Sequence, residues 1–308
     1  MERQAIFFRR LSDPLGPWTA DPILREYRFT NAYRATDRVS QYLIRNVQRR
    51  SDRAQTPEEI FFRTLLFKVF NRIETWETIE QQLGAVSWKK TNMAALKSVL
   101  DRIWDSRRPI YSAAYIMSVP PFGFQRKHDN HLALLVRMMK DHLPKRIWKA
   151  RSLRSVYESF LAYAGIGRFL AFQYSIDLNY SDLLDFDEAD FVKAGPGALD
   201  GISKCFSDFG GMTPEQIIHW TADRQDAEFG RLGLSFRGLF GRRLQPVDCQ
   251  NLFCEVAKYA RVAHPLVQGV AGRTRIKQSY RRDPQPLPPP LFPERWGLGI
   301  NPPAPRLP

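Results

Sequence analysis

The sequence predicts an all-α fold, on three observations. Apolar residues recur at helical spacing in one segment after another, alternating strand patterns are scarce, and helix-start residues stand where the periodic segments begin. With 308 residues, 44% of them hydrophobic and 13% aromatic, the chain has enough apolar surface for one large or two small domains with a packed core. That composition excludes wholesale disorder.

Residues 1–24 read as an N-terminal arm. From Ala32 to about Val47, Val39, Leu43 and Val47 share one stripe, while Arg34, Asp37, Arg38 and Arg45 lie largely off it, which predicts an amphipathic helix. Thr56-Pro57-Glu58-Glu59 then marks a helix start: a threonine cap, proline in the first turn and acids at the positive end of the dipole. The body that follows, IFFRTLLFKVF, is apolar nearly all round and predicts a central core helix. Further helices are expected at 74–83, 92–105 and 129–142. Between the last two, PIYSAAYIMSVPPFGF, with Pro120-Pro121 and Gly123, reads as a loop. Helical patterns resume at 152–164, 168–180, 198–208, 214–229 and 247–262. Beyond about Gly272 the composition changes: ten of the 22 prolines fall there, so 273–308 reads as a basic, Pro-rich tail, extended or wrapped over the domain. The expected division is therefore an arm (1–24), a helical domain (25–272, with a hairpin at 155–180) and a tail (273–308).

Lysine and arginine number 46 against 32 acids, giving a net charge of +14 and an isoelectric point near 9.9. That balance predicts a polyanionic partner and leaves its identity open. Cys205, Cys249 and Cys254 are odd in number and lack CxxC spacing, which argues against a disulfide framework or zinc ribbon and for a reducing, cytoplasmic location. No apolar run approaches the length of a membrane span, and no signal-peptide core is present.

The strongest local pattern lies in SVYESFLAYAGIGRFLAFQYSIDLNYSDLLDFDEADF, residues 155–191. A helix ending at Leu161 runs into Gly165-Ile166-Gly167, and a second helix opens at Arg168. Two glycines permit a tight turn and bring the amides of the second helix close to a phosphate. Gly195-Pro196-Gly197 opens another helix in a comparable way, so Gly165, Gly167, Arg168, Gly195 and Gly197 are expected at a DNA backbone.

This stretch resembles the helix-hairpin-helix DNA glycosylases, in which a hairpin grips phosphates while a flipped base enters a pocket. Lyase members of that superfamily carry a lysine where this chain has Phe169, so the resemblance does not support a Schiff-base mechanism. A broader resemblance rests on REYRFTNAYRATDRVSQYLI (25–44), GIGRFLAFQYSIDLNYS (165–181), AGPGALDGISKCF (194–206) and LQPVDCQNLFCEVAKYAR (244–261). Together these blocks resemble the thymine-hypermodification family, which includes the α-glutamyl/putrescinyl thymine pyrophosphorylases, or amino acid:DNA transferases, and the helical region of the 5-hydroxymethyluracil DNA kinases. The resemblance implies a pathway in phage DNA that protects it from restriction: hydroxymethyluracil is phosphorylated, and an amino acid or polyamine then displaces the phosphate. No GxxxxGK[ST] phosphate loop occurs among these residues, so the expected role is the later transferase. A DNA-binding partner of a separate kinase and a monofunctional glycosylase are the alternatives. Double-stranded DNA with a modified thymine and an amine donor are the implied partners, with no cofactor and no metal.

Displacement at the exocyclic methylene needs cations to hold the leaving group and a carboxylate to take a proton from the amine. Arg28, Asn31, Arg34 and Asp37 are expected to gather around the phosphate, since arginine's planar fork suits it. Asp177 is the first choice as base and Asp187 the second, with Asp185 also within reach of the family position. Glu255 and Lys258, three apart in CEVAKY, are expected to complete the charged site. His128 and His131 lack a third ligand at metal spacing. Trp76, Trp88, Trp104, Trp148 and Trp220 are expected mostly in the core, with one available to stack on a base.

Overall fold

The computed structural model describes residues 1–115 and 117–298. Ile116, in the aromatic loop, and the last stretch of the Pro-rich tail, 299–308, lie outside the described residues. Among the described residues the secondary structure is helical, in the order α1 (Glu2–Ser12), α2 (Pro22–Glu26), α3 (Arg38–Tyr42), α4 (Pro57–Phe70), α5 (Ile73–Leu83), α6 (Met93–Asp105), α7 (Lys127–Lys140), α8 (Leu143–Trp148), α9 (Leu153–Leu161), α10 (Arg168–Asn179), α11 (Pro196–Cys205), α12 (Pro214–Arg231) and α13 (Pro246–Ala263). Short 3-10 turns at Arg34–Thr36 and Glu294–Trp296, and a π segment at Leu43–Gln48 that continues α3, complete it. The only β pairing among the described residues is two isolated bridges, Tyr27 with Ser279 and Leu239 with Arg242. The all-α reading holds.

The described residues divide into two compact units: a terminal one, built from Met1–Asp37 and residues 187–298, and a central one, Arg38–Phe186. The central unit is organised on α4. Thr56 caps it by accepting the Glu59 amide at 3.4 Å, Pro57 fills the first turn, and Asn71 ends it in the left-handed conformation. Every residue from Glu59 to Phe70 is buried, as its all-round apolarity predicted. Two of its polar side chains are hydrogen-bonded locally. Glu59 accepts from Ser87 Oγ at 2.9 Å and from the Trp88 and Lys89 amides at 3.0 and 3.2 Å; Arg63 donates to the carbonyls of Val47 at 3.0 Å and Ala54 at 2.9 Å.

The terminal unit rests on α11 against α13. Two glycines on α11 let the helices approach: a Cβ added at Gly197 would meet Cys254 Sγ at 2.9 Å, and one added at Gly201 would overlap the Phe253 carbonyl. Helix α1 is anchored by Gln4, Ile6 and Phe7, all buried, so residues 1–24, expected as an arm, carry a helix with a packed face. The described tail beyond α13 is pinned near its start by Asp200 of α11, whose Oδ1 accepts the Ala271 amide at 3.0 Å. It then pairs with the chain entering from α2, through Arg28 N to Gln278 O at 2.9 Å and Tyr280 N to Glu26 O at 2.8 Å. Farther on, Phe292 is fully buried.

The close approach of α11 to α13 makes a direct prediction. Gly201→Ala is expected to lower unfolding free energy by about 2–3 kcal/mol through overpacking. Gly230→Ala, on α12 with open space around the added carbon, should instead gain about 0.5–1 kcal/mol. Urea unfolding of the two variants measures the contrast.

Candidate functional site

In the terminal unit, Asp248, Asn251, Glu255 and Lys258 are spaced three, four and three apart, so they share one face of α13. That face holds the segment 29–37 by its backbone. Asp248 Oδ1 accepts the Arg34 amide at 2.9 Å; Asn251 Nδ2 donates to Thr30 Oγ1 at 3.0 Å and to the Asn31 carbonyl at 3.1 Å; Glu255 Oε2 accepts the Thr30 amide at 3.0 Å. Lys258 Nζ lies 2.9 Å from Glu255 Oε2 and 4.6 Å from the centre of the Phe29 ring. Arg3 reaches in from α1, donating to the Thr30 carbonyl at 2.8 Å and to Asn31 Oδ1.

The helix expected to begin at Ala32 does not. Asp37 Oδ1 accepts the Asn31 amide at 2.8 Å and Asn31 Nδ2 donates to the Thr36 carbonyl at 2.9 Å. These short polar side chains offer the backbone an alternative to the helical ladder. Residues 34–36 form a 3-10 turn, Asp37 is extended, and α3 starts only at Arg38. The helical spacing proposed for Asn31, Arg34 and Arg38 is therefore corrected, yet Asn31, Asp37, Glu255 and Lys258 meet through tertiary contacts. Arg28 stays outside this group, with an exposed side chain, and Arg34 is buried beside Asp248.

Burial pushes the Asp37 carboxyl up to about 6, against the Asn31 amide and the Arg3 guanidinium, which favour its charged form. Burial likewise lowers the affinity of Arg3 for its proton, opposed by Asp37 and Glu255. Deeper in the unit, burial and the nearby Glu188 carboxylate push Asp248 up to about 7. Glu188 is itself raised by burial, while Arg242, at 2.9 Å, stabilises its charge. Glu188, Arg242 and Arg3 were missed from the sequence. Glu188 sits next to Asp187 in an acidic run, where nothing distinguishes a buried acid from a solvated one. Asp187 itself is exposed and closes a turn by accepting the Ala189 amide at 2.9 Å.

Arg3 and Asn31 also line a cavity of about 310 Å³ in the same unit. Its walls carry three further arginines, Arg10, Arg25 and Arg282, and five aromatic rings, Phe7, Trp18, Tyr27, Phe29 and Tyr280. Trp18, a lining residue of this cavity, is not among the tryptophans that the sequence reading offered for stacking on a base. Of those, Trp76 is buried, but Trp104, Trp148 and Trp220 are exposed, at 55%, 59% and 38%, contrary to the core expected for them. Cys249 and Cys254 are both raised to about 12 by burial, which suits packing residues better than nucleophiles.

In the central unit, α9 and α10 flank the turn at Gly165-Ile166-Gly167. Gly165 has φ +92° and a Cβ there would meet Pro120 Cα at 2.9 Å, so both the backbone conformation and the packing require glycine. Gly167 precedes α10 with no side-chain cap and open space around it, and Gly167 and Arg168 are exposed. The first amides of α10 therefore lack a side-chain acceptor from the cap residue. Gly195 and Gly197 differ: Gly195 is buried and Gly197 lies against Cys254, so this turn serves the packing of α11 on α13 rather than a phosphate.

Asp177, the first choice as base, has no solvent exposure and lies 3.2 Å from Lys68 Nζ, which also donates to Asn71 Oδ1 at 2.7 Å. A carboxylate sealed in the core with a lysine on it is a structural ion pair, and the catalytic role expected for it is corrected on that ground. His128 and His131 do not converge. His131 donates from Nε2 to the Ser118 carbonyl at 2.9 Å, so its Nδ1, 2.8 Å from the Tyr111 hydroxyl, accepts; burial holds it neutral, at about 4. His128 instead joins Asp101 and Asp129, whose ligand atoms lie within 4.8 Å of one another. Lys97 Nζ, 2.7 Å from Asp101 and 3.4 Å from Asp129, and Arg126, 2.8 Å from Asp101, already bring cations to these carboxylates.

Asp177→Asn is expected to leave Lys68 buried without its counter-charge, costing about 3 kcal/mol of stability in denaturant unfolding. Unchanged stability would show that the pair carries no structural load. For the hairpin, Arg168→Gln should weaken DNA binding about equally for all sequences and reduce the slope of log K against log salt by about 1. A slope equal to the parent's would take Arg168 out of the interface.

Among the described residues no helix is long and apolar enough to cross a membrane. Comparison with known proteins matches residues 1–269 to the family described as "5-hmdU DNA kinase, helical domain". The chain is similar to a 5-hmdU DNA kinase of Bacillus phage SP10, 26% identical over 280 residues that cover 84% of this chain and 43% of the phage protein. It thus spans less than half the length of that relative. No solved structure matches it. With seven-eighths of its length inside one family match, the chain belongs to the 5-hmdU DNA kinase helical-domain family.

Proposed function

We propose that this protein is a transferase acting on phosphorylated 5-hydroxymethyluracil in DNA, with an amino acid or polyamine as the second substrate. The observation that carries the reading is the convergence of Arg3, Asn31, Asp37, Glu255 and Lys258, a guanidinium and an ammonium held beside two carboxylates. In the reaction, the amine nitrogen attacks the exocyclic methylene. The new C–N bond forms as the C–O bond to the phosphate breaks, and the phosphate departs with the electron pair. Asp37 takes the proton released by the amine, and Arg3 offsets the charge that builds on the leaving group.

Three independent supports stand behind the reading: membership in a family described by 5-hmdU DNA kinases, the net charge of +14 and the exposed residues Gly167 and Arg168 at the start of α10. The family description favours a second reading, in which the chain is a helical module that presents DNA to a kinase. One experiment separates them. The protein is incubated with DNA carrying phosphorylated hydroxymethyluracil and candidate amines, and the DNA is digested to nucleosides for mass spectrometry. An amine-bearing thymidine supports transfer, unchanged DNA the presenting module, and an abasic site a glycosylase.

The carboxyl of Asp37, raised from 3.8 to about 6, sets the pH dependence. Below about 6 it is protonated and unable to accept the proton, so the rate of transfer should rise with pH through that value. Asp37→Asn should lower the rate by about 100-fold or more while DNA affinity changes less than twofold. A rate that is flat from pH 5 to 7, or an active Asp37→Asn, would remove Asp37 from the chemistry.

A further inference from the structure

We propose that the cavity of about 310 Å³ in the terminal unit is the receptor for one phosphorylated pyrimidine nucleoside, with the tail residues Tyr280 and Arg282 as its outer wall. The inference rests on the transferase reading and adds to it the place where the modified base and its phosphate are held.

The first support is charge without a counter-charge. Arg10, Arg25 and Arg282 line the cavity, and among the described residues none of the three has a carboxylate within ion-pairing distance. Arg10 Nε is shielded from solvent and has no hydrogen-bond partner. Like charges held together around a concavity favour an anion strongly, and a phosphate ester matches the paired donors of guanidinium groups. The second support is the ring chemistry of the walls. Arg10 and Arg282 lie 5.3 and 5.9 Å from the centre of the Trp18 indole, and Tyr27, Phe29 and Tyr280 add further aromatic surface. A planar heterocycle stacks on such surfaces whatever its sequence context. The third is size: the volume sits at the low end of the roughly 300–1,000 Å³ found for small-ligand sites, room for one nucleoside rather than a strand.

The tail's part follows from its backbone. The pairing of Gln278 and Tyr280 with Glu26 and Arg28 fixes the register that brings Tyr280 and Arg282 to the cavity. These residues lie beyond the matched span 1–269. They are positioned to decide what enters, while Arg3 and Asn31 join the cavity to the Asp37 carboxylate.

The test uses the full chain and isothermal titration with two ligands: 5-phosphomethyl-2′-deoxyuridine as a free nucleoside, and a short DNA duplex carrying the same base. The 5-hydroxymethyl forms of each serve as controls. At least one phosphorylated ligand should bind about tenfold or more tightly than its hydroxymethyl control, and Arg10→Gln and Arg282→Gln should each weaken it about tenfold. Binding of the free nucleoside identifies a pocket open to small ligands. Binding of the duplex alone identifies a base swung out of DNA. Arg282 is exposed on the tail, so its variant reports even where Arg10→Gln fails to fold. Equal binding of phosphorylated and hydroxymethyl ligands, or unchanged affinity in Arg282→Gln, overturns the inference. The same samples are assayed for amine-bearing product. Product with Arg282→Gln binding unchanged sinks the pocket and leaves the transferase standing, whereas arginine-dependent binding without product does the reverse.

Discussion

The terminal unit depends on one interaction above the others: the polar face of α13 grips the backbone of segment 29–37. Asp248, Asn251 and Glu255 satisfy amides and a carbonyl that a helix would have satisfied internally, and in doing so they hold the segment out of helical conformation. Without that grip Asn31 and Asp37 have no fixed place, Arg3 has no carbonyls to reach, and the cavity loses its floor. The cost is evident in the acids themselves. Burial raises Asp37 to about 6 and Asp248 to about 7, a kind of perturbation that clusters at functional sites.

The central unit is built on a different principle. Its α4 is buried on all sides, and the remaining polar groups there are paired within the core, Lys68 with Asp177 and Glu59 with a loop. What it offers to a partner lies on its surface, at the corner of α9 and α10. Gly165 is forced by conformation and by Pro120, and Gly167 leaves the first turn of α10 open.

Most helices were legible in the sequence because their signals are local. The Thr56-Pro57 start, the all-apolar body of α4 and the Gly165-Ile166-Gly167 corner depend on a few neighbouring residues, and each lies where the pattern put it. The segment before Arg38 misled because its apolar stripe fits a helix, while the decision is made by residues more than 200 positions away on α13. The choice of Asp177 failed for the same reason in reverse. Position along the chain made it a candidate, and only packing against Lys68 shows that it is sealed. Gly195 and Gly197 resembled a phosphate turn, yet contact with Cys254 explains Gly197. Arg3 and Trp18 went unseen because they lie in a stretch read as an arm, and the basic start of the Pro-rich tail carried no signal of what it packs upon. Glu255 and Lys258 were found by their spacing, and tertiary structure supplied the partners that give the pair meaning.

Hydrogen exchange resolved at single amides tests the grip of α13 on segment 29–37 most directly. The account predicts that the amides of Thr30, Asn31 and Arg34, donated to Glu255, Asp37 and Asp248, exchange as slowly as those inside α13 and lose protection in a Glu255→Ala, Asn251→Ala variant. Exchange of these three amides as fast as that of the exposed turn at Gly210 and Gly211 would contradict it.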